Sequence, residues 1–287
     1  MTETYEVPFW PGVIGRRIRA DDGWVHYVDL GVPGTACSAD APVLILLHKL
    51  GGWVADWRHV AETLAGRYRV VAVDLPGHGG STMDESGPWA HPPSMSAARV
   101  LGLLDTLGVC RSHIMGNSLG GIVGLHMAVT APTRVETLTL VGVSLTERHT
   151  LEQTLDTDRA VRHRFGPGWE PRPLGPAAAA RAATGDPGIL EEQDLSRACA
   201  GRWVRPSERG VGLTGVEHLL PEVHVPTLLI NGVRAGYRRY EDTARALLRD
   251  VRIATVDEAG SFPHQERPAA VAALWEMFVH PSGDNDD

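Results

Sequence analysis

Residues 112–130 read SHIMGNSLGGIVGLHMAVT. The first five residues are a short apolar run, and the segment from Ser118 onward is apolar with small residues, the pattern of a buried strand turning into a buried helix. Between them stands Gly116-Asn117-Ser118-Leu119-Gly120. This G-x-S-x-G spacing holds a serine on a sharp strand-to-helix turn, with its hydroxyl exposed at the sheet's carboxyl edge. A serine placed there needs a base to take its proton, so the identity of that base decides the chemistry.

Working outward, the same rhythm repeats. VLILLH (43–48) and RVVAVDLPGHGG (69–80) read as strands buried on both faces, the second running into a glycine-rich turn. Helical spacing follows in VADWRHVAETLAG (54–66) and SMSAARVLGLLDTLGV (94–109). VETLTLVGV (135–143), PTLLING (226–232) and RIATVD (252–257) are further strands, with helices near 238–248 and 267–279. Alternating strands and helices give an α/β fold with a mainly parallel central sheet and helices on both faces. RRIRADDGWVHYVDLG (16–31) reads as an antiparallel edge hairpin with Asp-Gly as its turn. Segment 144–220 is rich in Arg, Pro and Ala and lacks buried-strand runs. It is expected to be a helical cap over the sheet's carboxyl edge, inserted into a core formed by 1–143 and 221–287.

Composition bounds the function. Of 287 residues, 43% are hydrophobic and 22% charged, ordinary for a globular chain. The net charge of −8 argues against a nucleic-acid surface. No apolar run reaches membrane-spanning length, and MTETYEVPFW lacks the pattern of a signal peptide. Cys37, Cys110 and Cys199 form no paired or metal-ligating spacing, which predicts reduced thiols, a cytoplasmic location and no bound metal. The polar tail PSGDNDD is expected to fray. No phosphate-cradling motif is present, and the expected partner is a small-molecule substrate without a cofactor.

Five segments in order, LLHKLGG (46–52), VVAVDLPGHGGS (70–81), GNSLGG (116–121), PTLLING (226–232) and GSFPHQERP (260–268), resemble the α/β-hydrolase fold superfamily. The resemblance spans nearly the whole chain outside the insert, which then corresponds to that family's helical cap. It implies that Ser118 is the elbow serine and that the backbone N–H groups of Leu119 and Leu50 form an oxyanion hole. Three positions depart from the family pattern. His48 is followed by Lys49 where the family has glycine. Ala235 stands where a carboxylate usually orients the histidine, and Ser261 stands at the usual histidine position.

A serine with neither base nor orienter is a weak nucleophile. Substitute bases to weigh are His264, His48 and His91, and Glu147 is a candidate acid. Lys49 is the more telling residue, because lysine is rarely buried without a partner or a task. Facing the pocket, it would stabilise a developing enolate or carboxylate, or pair with Ser118 as a base. Trp53, Ser261 and Arg234 are candidate substrate contacts, while Arg159, Arg162 and Arg164 read as a solvated face. Asp74 is expected to fix the glycine turn. By the resemblance, the leading expectation is non-hydrolytic lyase or cyclase chemistry, such as carboxylate elimination or ring closure on a polyketide-like intermediate. An ester hydrolase or lactonase with a relocated base, and a ligand-binding homologue without turnover, stand as alternatives.

Overall fold

The computed structural model describes residues 2–20, 23–31, 42–83 and 87–281. Nine strands form one sheet: β1 (Glu3–Glu6), β2 (Ile14–Ala20), β3 (Gly23–Asp29), β4 (Val43–Leu47), β5 (Arg69–Val73), β6 (Ser112–Asn117), β7 (Val135–Val141), β8 (Thr227–Gly232) and β9 (Val251–Val256). Their order is β1-β2-β3-β5-β4-β6-β7-β8-β9. β1 to β3 are antiparallel and β3 pairs antiparallel with β5, whereas β5 through β9 run parallel. The expected hairpin therefore lies towards one edge, with the short β1, which the sequence did not announce, outside it. Ala20 pairs with Gly23, so Gly23 already belongs to β3 and is not the turn's second residue. Residues 21–22, Cys37 and all of the polar tail beyond Pro281 lie outside the described residues.

The period of two along each strand divides the core. Ile45 and Leu47 of β4 face one side, with Leu138 and Leu140 of β7. There they meet α2 (Pro93–Thr106) and α3 (Leu119–Thr130) through Val100, Leu104, Ile122 and Leu125. Leu44 and Leu46 face the other side, against α1 (Arg58–Leu64) and α10 (Pro268–Val279), where Trp57, Val60, Leu64, Val271 and Trp275 are buried. Continuous apolar strands are what a sheet covered on both faces requires.

Between β7 and β8 the chain forms α4 (Leu151–Val161), α5 (Pro176–Ala182), α6 (Pro187–Ala200) and α7 (Val204–Thr214). α4 starts on a capping box, in which Thr150 and Gln153 satisfy each other's backbone N–H groups. α4 and α7 are joined through Asp158, which accepts from Arg205 Nε at 2.7 Å and Arg209 Nε at 2.9 Å. α6 is tied to the core by Arg58 to Glu192 at 2.6 Å and by Gln193 to Gln265 at 3.1 Å. α8 (Glu241–Leu247) and the short α9 (Pro263–Glu266) complete the set. Among the described residues no helix is long and apolar enough to cross a membrane.

Candidate active site

β6 ends at Asn117 and α3 begins at Leu119, which leaves Ser118 alone on the corner at φ 49°, ψ −111°. A non-glycine residue in that region costs about 1–3 kcal/mol and persists only where its surroundings hold it. Here Ser118 N–H donates to Val141 O at 3.1 Å, and Ser118 O accepts from Ile122 N–H at 3.1 Å. The flanking glycines are required by close approach. A Cβ on Gly116 would lie 2.3 Å from the carbonyl carbon of Gly120, and one on Gly120 would lie 2.1 Å from Leu47 O. Leu119 opens α3, so its N–H has no intrahelical acceptor and points out of the helix start.

The loop after β4 faces this corner. Buried His48 accepts from Leu75 N–H at Nε2, 2.9 Å, and donates from Nδ1 to Lys49 O, 2.7 Å. Burial lowers its pKa, and both nitrogens are occupied, so His48 braces the loop. Lys49 lines the cavity that also holds Ser118. Its ammonium lies 3.2 Å from Asp56 Oδ2 and 5.9 Å from the centroid of the Phe262 ring. Gly52 makes room for that ion pair, since a Cβ there would lie 2.2 Å from Asp56 Oδ2. Asp74 accepts from Val54 N–H and Gly80 N–H, both at 2.7 Å, and pairs with His26 Nδ1 at 2.5 Å. It thus fixes the glycine turn.

A cavity of about 270 Å³ opens over the corner. Lys49, Leu50, Ser118, Tyr237, Ser261 and Phe262 line it from the sheet side, and Arg164, Arg181, Gln193 and Arg197 line it from the helical insert. Among the described residues no histidine and no carboxylate lines it. Sequence reasoning missed Tyr237, which lines the cavity with Ser118 and whose pKa is raised by burial. It sits two residues past Ala235, in a run that no periodicity singles out. Arg197 was missed too. It stands four residues after Gln193 on α6, the spacing of one helix face, and that signal was available.

Other expected site residues lie elsewhere. His264 is 1% exposed, packs 4.3 Å from the Trp57 ring and does not line the cavity. Burial, then the Lys49 charge, lowers its pKa to about 3. Neither ring nitrogen has a hydrogen-bond partner, so it is a neutral packed ring and not a base in contact with Ser118. Trp53 lines a separate cavity of about 190 Å³ with Tyr5, His26 and Asp74. Arg234 spends its guanidinium on Ala183 O at 3.1 Å and Glu258 O at 3.0 Å, which removes it from the substrate contacts. Glu147 lies in a surface cleft with Glu217 and His218. His91, the other candidate base, is buried outside the cavity lining, with Nε2 3.0 Å from Ser96 Oγ. Arg164, read as solvated, faces the cavity instead.

Known proteins share this architecture. A putative lipase from Acinetobacter baumannii superposes with a TM-score of 0.76 at 18% identity, covering 97% of this chain and 98% of that one. A 2-hydroxy-6-oxononadienedioate/2-hydroxy-6-oxononatrienedioate hydrolase of Paraburkholderia phymatum is 41% identical over 123 residues, 41% of this chain and 39% of that protein. A putative carbamate hydrolase of Pantoea ananatis is 35% identical over 105 residues, 37% of this chain and 38% of that protein. The match thus spans about two-fifths of the length of these curated relatives. The alpha/beta hydrolase family profile matches residues 44–274, from β4 into α10 with the elbow between. The chain belongs to the alpha/beta hydrolase family.

Proposed function

We propose that this chain is a non-hydrolytic enzyme on the α/β-hydrolase scaffold, acting as a lyase or cyclase on a small carbonyl compound such as a polyketide-like intermediate. The observation that carries the reading is the lining of the Ser118 cavity, which holds Lys49 and Tyr237 but, among the described residues, no histidine and no carboxylate. A serine alkoxide needs a neighbouring base, and among the described residues the cavity around the elbow serine offers a phenol and a lysine already paired with Asp56. The groups that remain suit a different task. The N–H groups of Leu50 and Leu119 and the charge of Lys49 would stabilise an enolate oxygen as it develops. In the elimination of a carboxylate the C–H and C–O bonds break as the C=C bond forms, and the departing carboxylate carries off the proton as a carboxylic acid, so the step needs that stabilisation but neither a protein base nor an acyl-enzyme. Lys49 is a poor candidate for the base of a serine–lysine pair, because its nitrogen is engaged by Asp56.

A second reading is a carboxylic-ester hydrolase or lactonase with a relocated base. It is favoured by the relatives, which are named as hydrolases. A panel of aryl esters and lactones separates the two. The native protein is expected to leave them intact, whereas Ser261→His combined with Ala235→Asp is expected to gain ester hydrolysis. Turnover by the native protein that Ser118→Ala abolishes would establish the second reading.

A further inference from the structure

We infer that the Ser118 cavity recognises its substrate through a carboxylate group seated on Arg197. The inference rests on this cavity being the substrate site, and not on which bond is broken there. Among the described residues four cationic ones line the cavity, Lys49, Arg164, Arg181 and Arg197, and no anionic one does. Two of them have counter-charges. Lys49 has Asp56 at 3.2 Å. Arg164 has Glu208 at 3.7 Å, and Glu208 is shared with Arg205 at 2.5 Å.

Arg197 differs. Among the described residues no carboxylate lies within ion-pair distance of it, and its buried Nε has no acceptor. Asp194 and Glu208 attract it only from further away. Asp194 is also occupied, accepting from Leu174 N–H at 2.7 Å. Burial lowers the Arg197 pKa, which reflects a guanidinium drawn out of water without full compensation. Such a group is stabilised by an oxyanion that takes up its unused donors.

Its position is fixed as well. The Arg197 side chain crosses over Gly51 in the loop after β4, where a Cβ would lie 2.6 Å from Arg197 Cγ. Gly51 has φ +70°, so glycine is favoured there by conformation and by space. The cap thereby sets a cation directly above the loop that carries Lys49 and Leu50. A carboxylate on Arg197 would leave the rest of a small molecule reaching down to Ser118. Arg181, exposed near the cavity mouth and without an ion pair among the described residues, adds long-range attraction for an anion.

Isothermal titration of the full chain with adipate, monomethyl adipate, dimethyl adipate and inorganic phosphate tests this. Adipate is expected to bind one to one, and to bind more weakly as salt is raised. Dimethyl adipate is expected to give no binding heat. Arg197→Met should weaken adipate roughly tenfold or more, the scale of a lost charge-assisted hydrogen bond. Arg197→Lys should recover part of it, and Arg159→Met on the outer cap surface should change nothing. Ser118→Ala should bind adipate like the native protein, which separates recognition from chemistry. Three results would overturn the inference: equal binding of adipate and dimethyl adipate, unaltered affinity in Arg197→Met, or no adipate binding at about 10 mM. Phosphate binding tighter than adipate would overturn the carboxylate assignment. The ligand series needs no variant, so it stands even if Arg197→Met fails to fold. Ester hydrolysis by the native protein would remove the non-hydrolytic reading and leave this one untouched.

Discussion

Replacing Lys49 with methionine isolates the most unusual pair in the site. The side chains of Lys49 and Asp56 are 6% and 1% exposed, and their charged atoms are 3.2 Å apart. Asp56 Oδ1 has no hydrogen-bond partner, so Lys49 carries most of that carboxylate's compensation. Methionine keeps the volume and the packing against Phe262 but leaves a buried carboxylate alone. Breaking a buried pair from one side costs about 3–5 kcal/mol. Lys49→Met should therefore be destabilised by about that amount in urea unfolding at neutral pH. Removing the second charge as well should reverse most of the loss, because a neutral apolar pair of similar volume is often as stable as the ion pair. Lys49→Met/Asp56→Leu is thus expected to be more stable than Lys49→Met. A single variant within about 1 kcal/mol of the native chain, or a double variant no better than the single one, would refute the claim that these charges compensate each other in a dry site. The consequence for function is direct. The double variant is the proper reagent for asking whether turnover needs the ammonium, since the single variant mixes lost chemistry with lost stability.

Further outcomes follow from the same contacts. Gly120→Ala should lose about 3 kcal/mol or more in urea unfolding, because its Cβ would meet Leu47 O at 2.1 Å; a near-native midpoint would mean that the elbow can shift. Asp158→Ala should remove the carboxylate that Arg205 and Arg209 share, leaving Arg205 with Glu208 and Arg209 with Trp89 O, and raise amide exchange in α4 and α7 ahead of the sheet; uniform exchange would contradict a local anchor. His264 and His78 each have folded pKa values lowered to about 3 from an ordinary value near 6.5. The unfolded chain takes up protons first as pH falls, so their contribution is complete above about pH 6.5 and is lost progressively toward about pH 3. His264→Phe should flatten the stability slope between about pH 6 and pH 4 by one proton, near 1.4 kcal/mol per pH unit; an unchanged slope would show that His264 is not held neutral.

The sheet was legible because its strands are long apolar runs bounded by glycine and proline, and because Gly116 and Gly120 mark the elbow by steric need. β1 was not, since Glu3–Glu6 is mostly polar edge strand with one weakly buried residue and no apolar alternation. The helix expected near 238–248 begins instead as a 3-10 turn at Gly236–Tyr240 before α8, a boundary that local pattern does not encode. In the site, Ser118, Lys49, Leu50 and Ser261 could be placed because each is tied to a strand end. Trp53 and His264 could not, because which side of a loop a ring packs on is decided by Phe9, Tyr5 and Trp57 in space. Tyr237, after β8, and Arg197, on α6, come to line one cavity with Ser118 only in the folded chain; the Gln193–Arg197 spacing marks a shared helix face but not which cavity it meets.

Whether a base acts on Ser118 decides between the two readings, and intact-mass analysis of the full chain after exposure to a fluorophosphonate, with Ser118→Ala as the control, tests it most directly. The folded native protein is expected to remain unmodified, because among the described residues Tyr237 and Lys49, but no histidine, line the cavity with Ser118. A stoichiometric adduct on the native chain that Ser118→Ala loses would mean that a base acts on the serine, and the non-hydrolytic reading would fall.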